Sequence, residues 1–136
     1  MAHEIYGSNV ERFERSVYDV TPDDVGTFDL VFCGSMLIHL KNQFLALERM
    51  RALLRPGGLF VTCEAYHRLL TLIRLPAARY RAHRVGAPVF WEPSVQAWAF
   101  MVEACGFVEV SEVSRFKMHS PRGYSVPHVV HHASAR

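Results

Sequence analysis

The stretch FDLVFCGSMLIHLKNQFLALERMRALLRPGGLFVTCE, residues 28 to 64 of a chain of 136, decides the fold. Phe28, Leu30, Val31, Phe32 and Cys33 form a near-continuous apolar run, the pattern of a parallel strand buried on both faces, after which Gly34 and Ser35 let the backbone break into a loop. Asn42 is placed to cap a helix, and Phe44, Leu47, Met50 and Leu54 recur at intervals of three and four as one buried stripe. Arg49, Arg51 and Arg55 fall between those positions, on the solvated side. Pro56 cannot continue the helix, Gly57 and Gly58 permit positive φ, and Leu59, Phe60, Val61, Thr62 and Cys63 restart an apolar run. Strand, helix and strand in that order imply a right-handed parallel crossover, and sheets of this kind bind ligands beyond the carboxyl ends of their strands.

The same grammar continues outside this block. Ser94 is placed to cap a helix whose Val95, Trp98, Val102 and Cys105 form the buried face, and Gly106 ends it. Phe107, Val108, Val110 and Val113 predict a strand. Val126, Val129 and Val130 predict a last one, with Ser120-Pro121-Arg122-Gly123 as the connection. Met1 to Asn9 reads as the tail of a helix and a turn. No internal repeat, low-complexity tract or interdomain linker interrupts the sequence.

Composition fits one domain or part of one: half of the residues are apolar, enough to bury a real core. No run approaches the ~20 apolar residues of a membrane span, and Met1-Ala2-His3-Glu4 shows no signal peptide. Cys33, Cys63 and Cys105 each lie in or beside an apolar element, which predicts reduced core thiols and a cytoplasmic protein. The net charge of +2 does not demand a nucleic-acid partner. Its distribution is uneven, however: Arg68, Arg74, Arg79, Arg81 and Arg84, with His67 and His83, share one segment. Two readings stand for it, a basic cover that binds an anionic substrate or an RNA backbone, and a solvated amphipathic helix with Leu69, Leu70, Leu72, Ile73 and Leu75 packed inward.

These residues resemble the class I S-adenosylmethionine-dependent methyltransferases. In that family a fourth strand of the form FDLVF, a loop with a His-Leu pair, a helix ending LLRPGG and a fifth strand form a recurrent block. Val17-Tyr18-Asp19-Val20 is similar to the end of the third strand, and Phe90-Trp91-Glu92-Pro93-Ser94 through Cys105-Gly106-Phe107 to the last helix and its exit. The likeness runs from about Tyr6 to Phe116. Its Tyr-Asp strand end and Trp-x-Pro-Ser helix start most resemble the branch that includes tRNA wobble-uridine modifying methyltransferases. The resemblance implies an α/β, Rossmann-like fold with a mostly parallel sheet and an antiparallel last strand. The family's first strand and glycine-rich loop have no counterpart, because no G-x-G occurs, and the acidic residue that would hold the ribose is missing. Residues 1 to 136 are thus expected to form a partial domain, from the third strand onward.

The resemblance also implies site residues. Asp19 matches the position whose carboxylate accepts a hydrogen bond from the adenine amino group, with Val20 beside the ring; read locally, Asp19 is a turn aspartate before Thr21-Pro22-Asp23-Asp24. Cys33, Gly34 and Ser35 match the loop beneath the methionine part of S-adenosylmethionine, the implied cofactor. His39 is the general-base candidate, since an imidazole suits proton removal from a hydroxyl or amine; the alternative is a histidine bonded to backbone at a helix start. Glu64, Tyr66 and His67 leave the fifth strand toward the same rim and are candidate substrate residues. Trp91 is either a stacking platform for a planar substrate or a lid aromatic. His128, His131 and His132 invite a metal reading but have no carboxylate or cysteine beside them, so no metal site is expected.

Two functions from different classes follow. The chain is either the carboxyl-terminal portion of a methyltransferase acting on a small-molecule or RNA acceptor, or a non-catalytic relic or binding module that keeps the fold. A second chain, or self-association, is expected to complete the sheet, because strand edges left unpaired recruit partners.

Overall fold

The structure, a computed structural model, describes residues 7–81, 89–119 and 123–136. His83, Arg84, residues 1–6 of the amino-terminal reading and residues 120–122 of the expected connection lie outside the described residues. In chain order the elements are α1 (Pro22–Val25), β1 (Phe28–Gly34), a 3-10 turn (Leu37–His39), α2 (Gln43–Ala52), β2 (Leu54–Ala65), α3 (Arg68–Leu72), β3 (Ala78–Tyr80), β4 (Trp91–Pro93), α4 (Val95–Ala104), β5 (Phe107–His119) and β6 (Ser125–Ala135).

The main sheet has the order β1-β2-β6-β5. β1 and β2 are parallel, from Phe28 opposite Leu54 to Gly34 opposite Cys63. β6 runs antiparallel to both β2 and β5, so three strands share one direction and the last is reversed between them. This is the mixed sheet that the resemblance implied. Early in β2, where its register against β1 shifts, Gly57 takes φ 77°, a left-handed backbone that a side chain would strain.

Both long helices start as their sequences specify. The Asn42 side chain accepts from the Leu45 N–H, and the Ser94 side chain from the Ala97 N–H, each satisfying a donor of the first helical turn. Their buried faces meet Phe60, Val129, Ala133 and Ala135 of the sheet, and Phe60 stacks on Phe107 with centroids 4.6 Å apart. The Trp98 indole N–H donates to the Ala65 carbonyl at 2.9 Å, pinning α4 to the carboxyl end of β2.

Four expectations need correction. β1 is not buried on both faces: Phe28, Leu30 and Phe32 are exposed, because α2 and α4 cover one face only and β1 is an edge strand. The buried stripe of α2 is Gln43, Ala46, Leu47 and Met50; Phe44 lies off it and is exposed, and Leu54 already belongs to β2. Val17 to Asp19 form a turn where a strand end was expected. Finally, the leucine-rich segment after β2 is no inward-facing amphipathic helix. α3 has five residues and buries Thr71, whereas Leu69, Leu72, Ile73 and Leu75 are exposed.

Candidate functional site

The parallel pairing of β1 and β2 brings their carboxyl ends to one edge, and the short loop after Gly34 lies over it. Ser35 takes a left-handed φ of 51°, and its N–H donates to the Cys63 carbonyl at 2.8 Å. A non-glycine residue there is strained by roughly 1–3 kcal/mol, and such strain gathers where surrounding bonds enforce it. Gly34 itself stays out of the left-handed region; a Cβ there would stand 2.9 Å from the far end of the exposed Phe32 ring, which can move aside.

Glu64 is the hidden anchor of this loop. It is 1% exposed, and one carboxyl oxygen accepts from the Met36 N–H at 3.0 Å and the Leu37 N–H at 3.1 Å, with the Cys33 thiol at 3.6 Å. Burial raises its pKa, while bonds from backbone and thiol oppose that shift. Its second oxygen is buried without a partner among the described residues. Glu64 therefore does not reach the substrate rim, as the sequence reading had it; it faces the core. Cys33 also points inward, its thiol pKa pushed up chiefly by burial and further by Glu64, so only its backbone is open to a ligand.

One side-chain pair at this edge was not expected from the sequence. The Ser35 hydroxyl lies 2.9 Å from Nε2 of His128, whose Nδ1 lies 3.0 Å from the Val126 carbonyl. A carbonyl only accepts, so Nδ1 carries the proton and Nε2 of the neutral ring accepts from Ser35. His128 is buried and stacks on Phe116 with centroids 5.6 Å apart. The arrangement couples a half-buried hydroxyl to a base held in one tautomer. Only a signal linking residues 93 positions apart could have disclosed it.

The remaining candidates divide. Asp19 is exposed, and its carboxylate makes no hydrogen bond to a described residue. The turn that carries it is fixed on α2: Arg49 donates to the Tyr18 carbonyl at 3.0 Å, and the Asn42 N–H donates to the Tyr18 hydroxyl at 3.2 Å. Val20 beside it is half-buried. An open carboxylate on a fixed turn, next to an apolar side chain, fits the amino edge of an adenine. Gly34 and Ser35, which the resemblance sets beneath the methionine part, are respectively exposed at the end of β1 and half-buried in the loop after it. His39 is exposed at the end of the 3-10 turn. His67 caps α3, its Nδ1 accepting from the Leu70 N–H at 3.2 Å.

Tyr66 and Trp91 line different clefts. Tyr66 borders one of about 640 Å³ with Arg68, Leu69, Arg74, Gln96 and Arg115. Trp91 tilts against Tyr80, centroids 5.0 Å apart, and borders an apolar groove of about 450 Å³ with Phe44, Phe100 and Met101. Nor is the basic segment uniformly free, because Arg79 and Arg81 both pair with Glu92. The histidines of β6 split between the faces, with His131 opposite Thr62 and His132 opposite Val61. No group of three metal-ligating side chains occurs among the described residues. Among them, too, no helix is long and apolar enough to cross a membrane.

Comparison with known proteins agrees with this architecture. A family described as a methyltransferase domain matches residues 4–62. The tRNA U34 carboxymethyltransferase of Geobacter sp. (strain M21) is 30% identical over 90 residues, 65% of this chain and 27% of that protein. That of Idiomarina loihiensis is 30% identical over 91 residues, 66% of this chain and 27% of its own length. The chain thus spans about a quarter of the length of these curated relatives. Among solved structures, the Burkholderia thailandensis 1,6-didemethyltoxoflavin-N1-methyltransferase, with 1,6-didemethyltoxoflavin and S-adenosylhomocysteine bound, superposes with a TM-score of 0.71 at 20% identity, over 98% of this chain and 54% of that one. The YcgJ protein of Bacillus subtilis also gives 0.71, at 14% identity, over 99% of this chain and 75% of its own. Over residues 4–62 the chain is thus similar in sequence to a methyltransferase domain, and over nearly its whole length it shares the fold of these solved structures.

Proposed function

We propose that this chain serves methyl transfer from S-adenosylmethionine to a small-molecule or RNA acceptor, supplying the adenine edge and the acceptor rim of the site. The observation that carries the reading is the strained loop at Ser35, held at the carboxyl end of β1 by the Cys63 carbonyl and by His128. When bound, S-adenosylmethionine supplies an electrophilic methyl group on a sulfonium, open to in-line displacement. The chain's own residues position and deprotonate. Asp19 accepts the adenine amino hydrogen, Val20 packs beside the ring, and the backbone at Gly34 and Ser35 lines the path to the acceptor. Ser35 takes a proton from an acceptor hydroxyl or amine as it passes its own to Nε2 of His128. His39, exposed on the same loop, is the alternative base.

The relatives' names favour an RNA acceptor, and the bound flavin-like substrate of the Burkholderia enzyme a small one. A second reading, a non-catalytic module that keeps the fold, is favoured by one observation: the sequence contains no G-x-G for the family's cofactor loop. Titration with S-adenosylhomocysteine separates the two. Weak binding that Asp19→Ala abolishes is the expected result; no binding at any attainable concentration would leave only the module.

A further inference from the structure

Several of the arginines on this molecule are neutralised by ion pairs. Arg79 and Arg81 are paired with Glu92, Arg55 with Asp29 and Arg15 with Asp24. Arg68 and Arg74 make no ion pair among the described residues, and both line the cleft of about 640 Å³ at the carboxyl end of β2. Arg115 lines it too, pairing with Glu112 while its guanidinium lies 5.8 Å from the centre of the Tyr66 ring. Arg74 is held there at φ 54°, a left-handed backbone that a non-glycine residue adopts at a cost. Two unpaired guanidinium groups beside a third attract an anion, and planar guanidinium forks suit oxyanions.

The walls add further constraints. Leu69 and Leu72, 59% and 80% exposed, border the same cleft with the Tyr66 ring, so the charge sits beside an apolar surface. Gln96, also on the wall, has a side-chain oxygen with no donor among the described residues. A cleft of this volume is the size of a small-molecule site. An extended nucleic-acid backbone calls for a basic stripe, and the pairing of Arg79 and Arg81 leaves none along this segment.

We infer that the Arg68–Arg74–Arg115 cleft binds the phosphate of a small acceptor that carries a flat apolar group, the phosphate on the arginines and the flat group on Leu69, Leu72 and Tyr66. This rests on the methyl-transfer reading and names the substrate class of that site. It also explains why leucines that fail to pack inward remain at the mouth of an arginine cleft.

Calorimetric titration of the chain with phenyl phosphate tests it, with phenol, inorganic phosphate and a uridine decamer as comparison ligands. Phenyl phosphate should bind better than inorganic phosphate, and phenol not at all. Arg68→Ala with Arg74→Ala should weaken phenyl phosphate at least about tenfold. Arg12→Ala with Arg136→Ala, which removes the same charge elsewhere, should leave it unchanged. Arg68 and Arg74 are exposed, so an unaltered circular dichroism spectrum is expected of the variant. Absence of phenyl phosphate binding, or equal weakening in the two double variants, would overturn the proposal. Tighter binding of the decamer, lost in the cleft variant, would overturn the small-molecule source in favour of an RNA backbone. No cofactor enters this titration, so its failure leaves the methyl-transfer reading standing, and failure of S-adenosylhomocysteine to bind leaves the cleft standing.

Discussion

Glu64 shows how one side chain can carry a site without touching a ligand. Replacing it by alanine leaves the Met36 and Leu37 N–H groups without their acceptor, and buried donors left unmade cost about 1–3 kcal/mol each. Glu64→Ala should therefore lose about 2–4 kcal/mol in urea unfolding. Glu64→Gln keeps an oxygen for those donors and removes the charge. Burial holds the Glu64 carboxyl above its ordinary pKa, so its contribution to stability is present below the ordinary carboxylate range and lost as pH rises through the raised value. Glutamine does not titrate. The variant should gain on the parent protein as pH rises from the ordinary carboxylate range through the raised value; a gap that is constant or moves in the variant's disfavour would refute the assignment. Nothing local announced this role, because the amides that Glu64 holds are 27 and 28 positions away. Ser35 and His128 were unreadable as a pair for the same reason, whereas the caps Asn42 and Ser94, whose bonds span three residues, were plain in the sequence.

At the scale of elements, periodicity found each long helix and strand but not how completely it is covered. The run in β1 reads as two-sided burial because Phe28, Leu30 and Phe32 are as apolar as Val31 and Cys33; only the placement of both helices on one face separates them. The leucine run after β2 misled for a different reason. His67 caps α3, but Arg74 turns left-handed at φ 54° and ends it before a second turn can present a stripe. α4 is the contrasting case, with its cap and buried face both as read. Ser94→Ala should cost about 1 kcal/mol by removing the bond to the Ala97 N–H. Amide exchange should quicken in the first turn of α4, with the last turn unchanged; uniform protection throughout would mean that the cap does not set this helix's start.

For the molecule as a whole, one sheet face is packed and the other exposes Leu30 and Phe32, 54% and 63% accessible, beside an edge of β1 that pairs with no strand among the described residues. An apolar face next to an unpaired edge is a template for association. The chain should self-associate in sedimentation velocity, and Leu30→Lys with Phe32→Lys should shift it toward monomer. A parent chain already monomeric at high concentration would remove that expectation. The parallel crossover of β1 and β2 was legible in the residues themselves, whereas the reversed last strand was expected only through the family resemblance. Neither showed which face stays bare.

The central claim is that this chain holds the adenine edge of a methyltransferase site, with Asp19 as its acceptor. Saturation-transfer NMR with S-adenosylhomocysteine tests it most directly, since the method detects weak binding and reports which ligand protons lie against protein. Strong saturation of the adenine protons, weak saturation of the homocysteine protons and loss of the adenine signal in Asp19→Ala is the predicted result. Saturation centred on the homocysteine end, or an adenine signal that survives Asp19→Ala, would contradict it.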